Sequence, residues 1–225
     1  MGADFRHIAE SALLLFAALL PIVNPLGGAP VFLAMTSDCS PALRATMAKR
    51  IAANAFALLL GAVFVGSYVL EFFGLSVPIV QVAGGVVVCA AGWDLLHAHD
   101  ESRAAPAAPP STSVIASRAF YPLTLPLTVG PGAISVAITL GAHHPASMRS
   151  LLVSGMGNLA GAALIAATIY VCFRYADRIM RRLGATGTSV VLRLSAFILL
   201  CIGVQICWSG ALALVGTLPA VGLRG

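Results

Sequence analysis

Apolar residues fall in long runs along this chain, and polar residues collect between the runs instead of alternating with them. A helix needs about 20 apolar residues to cross hydrocarbon. Six stretches qualify: 8–36, 48–71, 76–97, 117–142, 149–173 and 190–215. Each is expected to span a membrane, which predicts an all-α, polytopic fold. The first and fourth stand apart, because "IVNPLGGAPVF" (22–32) and "LTVGPGAIS" (127–135) place proline and glycine near their centres. Proline lacks an N–H, and its ring clashes with the carbonyl one turn earlier, so both stretches should break into half-helices. Backbone groups freed by a break survive in hydrocarbon only within protein or beside a wet cavity.

Composition strengthens the membrane reading. Of 225 residues, 59% are hydrophobic and 9% charged, with mean hydropathy +0.96; soluble domains carry roughly a quarter charged residues. The net charge of +5 does not point to nucleic acid, since aromatics are few and basic residues fall between the apolar runs, where they anchor membrane faces. The five cysteines form no CxxC pair and read as packing residues. His97 and His99 lack further ligands at metal spacing, so neither a metal nor a cofactor is expected. Asp4 and Glu10 spoil the basic start of a signal peptide, and the first segment is read as retained.

The chain divides into 1–97, a Pro/Ala/Ser-rich flexible linker over 98–116, and 117–225. With the N-terminus outside, ten Lys/Arg fall on inner loops, the densest being "FRYADRIMRRL"; only Arg6, Arg149 and Arg224 lie outside. That asymmetry predicts both termini outside. The two large parts also repeat one another. Pro25 aligns with Pro131, Asn54 with Asn158, and "GGVVVCAAGWD" with "SAFILLCIGVQ", setting Gly92 opposite Gly203. Three helices per unit is an odd number, so the second unit must be inverted relative to the first.

These breaks supply the candidate site. Asn24, Pro25, Gly27 and Gly28 in the first unit, and Gly130, Pro131 and Gly132 in the second, fall near the middle of their segments. A half-helix beginning there offers N–H groups and a positive dipole end, and the half-helix before it offers carbonyls. Paired across a pseudo-two-fold axis, such breaks suit the two ends of a zwitterion. Asn54 and Asn158 are candidates both for holding the breaks in shape and for touching solute. Thr124, Thr128, Ser135 and Thr139 could share faces, but such hydroxyls commonly bond their own helix. Asp94 and Glu71 read as interfacial, and no acid or histidine chain marks a buried proton relay. A coupling ion would be Na⁺ held by carbonyls and hydroxyls, or a proton taken near Asp94; the sequence leaves both open.

"FAALLPIVNPLGGAPVFLAMT", "PLTLPLTVGPGAIS", Asn54 and "QVAGGVVV" together resemble the MarC family of bacterial and archaeal inner-membrane proteins, over Phe16 to about Gly210. The resemblance implies a six-helix protein of two three-helix repeats, grouped with LysE-like exporters, with the Pro/Gly motifs near the site and small neutral amino acids among the solutes. The long linker and Ser195, where glycine is expected, depart from the pattern. The reading that follows is a secondary transporter or exporter of a small polar solute, not an enzyme, in the inner membrane, with its oligomeric state open and a homo-oligomer included. Two rivals stand beside it. One is a non-transporting structural or stress-linked membrane protein. The other is a membrane enzyme using His143 and His144, for which no intramembrane acid is at hand.

Overall fold

The computed structural model describes residues 2–36, 39–97, 119–142 and 148–216, and no strand occurs among them. Eight helical elements follow in order: α1 (Gly2–Val23), α2 (Pro25–Met35), α3 (Pro41–Phe72), α4 (Val77–His97), α5 (Ala119–Thr128), α6 (Pro131–Gly141), α7 (Met148–Arg174) and α8 (Ala176–Gly216). The predicted linker, with His99, and the histidines at 143–144 lie outside the described residues. Five stretches are long and apolar enough to cross a membrane: Asp4–Leu33, Pro41–Phe72, Val77–Asp94, Arg149–Arg174 and Thr186–Gly216. The first joins α1 and α2 across their break. The expected fourth span, broken as its prolines and glycines imply, is α5 and α6, each too short to cross alone.

Local chemistry explains where the helices start and stop. Ser40 caps α3, its hydroxyl accepting from the Leu43 N–H at 3.3 Å, with Pro41 in the first turn, where a missing N–H costs nothing. In α5 the hydrogen bonding is π-like, and Tyr121 and Leu125 are extended (φ −124° and −115°). Each precedes a proline in the sequence, and proline pushes the residue before it out of the helical region. The widened turns release carbonyls, which buried hydroxyls satisfy: Thr124 Oγ1 donates to Ala119 O and Thr128 Oγ1 to Leu123 O, both at 2.6 Å. Ser135 and Thr139 likewise bond their own backbone, as expected of such residues.

The basic stretch expected as an inner loop is helical. Only Tyr175 separates α7 from α8, and Arg174 and Arg178 each lie 5.7 Å from its ring. α8 then bends at Gly184, whose φ of 67° and ψ of 179° are open to glycine alone. The spanning part follows the bend, so the helix starts well before the predicted 190.

Lipid tails are as apolar as leucine, so close packing by small residues, not apolar burial alone, holds helices together in a bilayer. α4 and the second half of α8 show this and run antiparallel. Gly92 lies against Ala196 and Leu200, Gly85 against Gly203 and Cys207, and Gly210 against Pro78 and Val82. Cys89 Sγ reaches Leu200 O (3.8 Å), and Cys207 Sγ reaches Val82 O (3.4 Å). These are the same contact made twice, once from each helix, and they pair Gly203 with Gly85. The sequence alignment had placed Gly203 opposite Gly92, about two helical turns away.

The other packing follows the same exchange. α1 lies on α7 as α5 lies on α3, α6 on α3 as α2 on α7, and α6 on α4 as α2 on α8, while α3 and α7 meet each other. The core runs through these contacts, with Leu15, Leu19, Phe32, Met47, Ile51, Leu59, Ile165 and Ile169 fully buried. Asp4 and Arg149 pair at 2.7 Å, which puts the start of α1 and the start of α7 on one face. Arg44 and Asp177, 4.0 Å apart, join the starts of α3 and α8 on the other.

Candidate functional site

The two breaks face a common cavity of about 510 Å³. Its wall takes Ile22 and Val23 from the end of α1, then Asn24, then Gly27, Gly28, Val31 and Met35 from α2. Thr128 at the end of α5, Gly130 after it, and Pro131, Gly132 and Ala133 at the start of α6 follow, and α4 adds Val87, Val88, Ala91 and Asp94, with Leu199 from α8. The wall is mostly apolar, and its polar features are the interrupted backbone at two places, Asn24, Thr128 and one carboxylate.

At the first break a single residue both ends one helix and starts the next. Asn24 has φ 45°, the left-handed conformation that asparagine tolerates better than other residues with a Cβ. Its N–H closes α1 on Leu20 O, and its carbonyl accepts from the Gly28 N–H, both at 2.9 Å. Its side-chain oxygen accepts from the Gly27 N–H at 3.1 Å, an N-cap for α2. A Cβ on Gly27 would collide with that amide. Pro25, in the first turn of α2, shapes the break but is not on the cavity wall.

At the second break the cap has no side chain. Gly130 is extended (φ −85°, ψ 174°), as a residue before proline should be, and Pro131 opens α6. No side chain caps α6. Gly132 is packed so closely on α4 that a Cβ there would collide with Val88 Cγ2. Pro25 and Pro131 thus open helices of identical length, 11 residues each.

Six of the nine predicted site residues therefore line one cavity: Asn24, Gly27, Gly28, Gly130, Pro131 and Gly132. Asn54 and Asn158 do not. Asn54 Nδ2 reaches Thr124 Oγ1 at 3.4 Å, joining α3 to the hydroxyl that props α5. Asn158 is half-buried beside Gly157, whose backbone lies against Ile8 and Ser11 of α1. Of the α4 face that lines the cavity, the sequence marks Asp94 only as an interfacial group and a place to take a proton, and does not single out Val87, Val88 and Ala91. The spacing of this face, three to four residues apart, was visible in the sequence, but nothing there told this face from the others. No cluster of His, Cys, Asp and Glu suited to a metal occurs among the described residues.

Helices of this length and apolarity, interrupted beside a buried cavity, define a multi-pass integral membrane protein. A family model described as "MarC family integral membrane protein" matches residues 9–215. The chain belongs to the MarC family. Similar curated proteins include the UPF0056 inner membrane protein MarC of Salmonella paratyphi A, 30% identical over 206 residues, covering 88% of this chain and 93% of the relative. Another is the UPF0056 membrane protein of Archaeoglobus fulgidus, 30% identical over 195 residues, covering 87% and 89%. A third, UPF0056 inner membrane protein MarC from Escherichia coli O1:K1 / APEC, is 30% identical over 207 residues, covering 88% and 93%. No solved structure gives a significant match. With the apolar helices, these relatives make the chain a multi-pass inner-membrane protein.

Proposed function

We propose that the chain is a secondary transporter that moves a small polar solute, of the amino-acid class, through alternating access around this cavity. The observation that carries the reading is the meeting of two half-helix starts, those of α2 and α6, at a single cavity. The first turn of α6 directs N–H groups and a positive dipole end toward a carboxylate. The end of α1 offers carbonyls to an ammonium group. Apolar walls leave these backbone groups as the main polar partners, so a solute is held by its charged ends.

Two three-helix units related by inversion, with both termini outside, complete the picture. The antiparallel α4–α8 pair, with its twice-made Gly85–Gly203 contact, supports an axis lying in the membrane plane. The pairing of α1 with α7 and of α3 with α5 supports the same relation. Rocking of the units about α4 and α8 would expose the cavity to each face in turn. No catalytic role is proposed for any side chain.

Purified protein in liposomes tests the reading. Flux of a radiolabelled amino acid is expected from wild type and is expected to vanish in Asn24→Ala and Gly132→Leu, with both variants still reaching the membrane. Equal flux by both variants would remove the cavity from the mechanism. No flux across a broad solute panel would favour a non-transporting role.

A further inference from the structure

Among the described residues, Asp94 is the one ionisable side chain on the cavity wall, and the mechanism above does not use it. It stands one turn before α4 ends at His97 and so marks the mouth, whereas Val88 and Gly132 mark the floor, where α4 meets α6. The ion pairs on the faces of the protein go to Asp4, Glu10 and Asp177, and none among the described residues includes Asp94. Its neighbours along the wall, Val87 and Ala91, are apolar. An exposed carboxylate at the mouth of an apolar cavity focuses its field, drawing cations in and turning anions away. The carbonyl end of α4, immediately beyond, adds to the same sign.

Position along the helix decides which cation can use it. Asp94 is six residues beyond Val88, roughly 9 Å at the rise of an α-helix. A solute whose carboxylate is held at the floor keeps its α-ammonium beside that carboxylate, out of reach of Asp94. A basic group at the far end of its side chain does reach.

We infer that Asp94 receives the distal ammonium or guanidinium group of the solute, so that the cavity favours amino acids with basic side chains over neutral ones and excludes acidic ones. This specificity rests on the transporter reading above. Three radiolabelled amino acids (lysine, alanine and glutamate) presented to proteoliposomes of the full chain separate the two claims. Wild type is expected to move lysine fastest and to exclude glutamate. In Asp94→Asn the lysine-to-alanine flux ratio should fall about tenfold, the loss of one charged hydrogen bond, and Asp94→Glu should restore it. A ratio unchanged in Asp94→Asn, or wild-type flux of alanine without lysine, overturns the role of Asp94 and leaves the transporter standing. No flux of any of the three overturns both.

Discussion

The side-chain oxygen of Asn24 accepts the Gly27 N–H at 3.1 Å, and it fits there because Gly27 has no Cβ to occupy the same space. The two residues thus form one device: the asparagine ends α1, turns the chain and caps α2, and the glycine makes room for the cap. Losing an N-cap costs about 1 kcal/mol. Asn24→Ala and Gly27→Ala should therefore both lower the unfolding temperature in detergent, by comparable amounts, while Asn24→Asp, which keeps the acceptor, should not. Thermal unfolding of the three variants side by side checks this. An unaltered midpoint for Gly27→Ala would mean that the amide is not seated as described.

At the second break the fit is between helices. The Gly132 Cα faces Val88 Cγ2 with no room for a methyl group. Gly132→Ala should overpack the α4–α6 contact, at a cost of about 1–3 kcal/mol. If that contact is the cause, Val88→Ala in the same chain should recover much of the loss, and the double variant should be more stable than Gly132→Ala alone. Additive destabilisation in the double-mutant cycle would place the damage elsewhere.

Much of this was legible in the sequence, because proline announces itself. Pro25 and Pro131 fixed both breaks, and their glycines pointed to close approach. Legibility failed where three-dimensional facing decides. Asp94 was read from its depth along a helix, which made it interfacial; its face, turned toward the cavity, is set by packing against α8. Asn54 and Asn158 were matched through the repeat, but neither is on the cavity wall, and Asn54 joins α3 to α5 through Thr124. The fourth span was expected to break at Gly130-Pro131, where α6 does begin, but Tyr121 and Leu125 bend the chain twice more before Gly130 is reached, and the continuous apolar run did not reveal those bends. The first break also lies in the second half of Asp4–Leu33, not at its middle, because the helix begins earlier than the apolar run.

The α4–α8 seam makes a further test of the proposed inverted pair. The ideal Cβ of Gly85 meets Cys207 and Gly203 O below 3 Å, and that of Gly203 meets Cys89 and Gly85 O equally closely. Backbone is on the far side of each contact and cannot yield as a flexible side chain would. Gly85→Leu and Gly203→Leu are therefore expected to destabilise alike, each by several times the cost of Gly61→Leu, where nothing lies within 4 Å. Expression level and gel-filtration monodispersity of the three variants compare them directly. A tolerated Gly203→Leu beside an intolerant Gly85→Leu would break the equivalence of the two helices.

The two half-helices differ in how tightly they are held, and under the proposed alternating access the tighter one marks the closed side. α6 is pressed onto α3 and α4: Gly141 against Val63, Gly66 against Ile138, and Ser135 against Gly84. Gln81 Nε2 adds a hydrogen bond to Thr139 Oγ1 at 3.1 Å. α2 makes sparser contacts with α7 and α8, through Phe32 stacked on Phe173 at 4.8 Å, and gives Gly27, Gly28, Val31 and Met35 to the cavity wall. Alternating access requires the α6 contacts to separate while α2 closes. Replacing Gln81 and Thr139 by cysteines, in a chain whose own cysteines are changed to alanine, allows a reversible disulfide or Hg²⁺ bridge across the seam. Bridging should stop flux in liposomes, and reduction or chelation should restore it. Flux that continues through a fully bridged protein would show that α6 does not move, and the opening would then have to be sought along another seam.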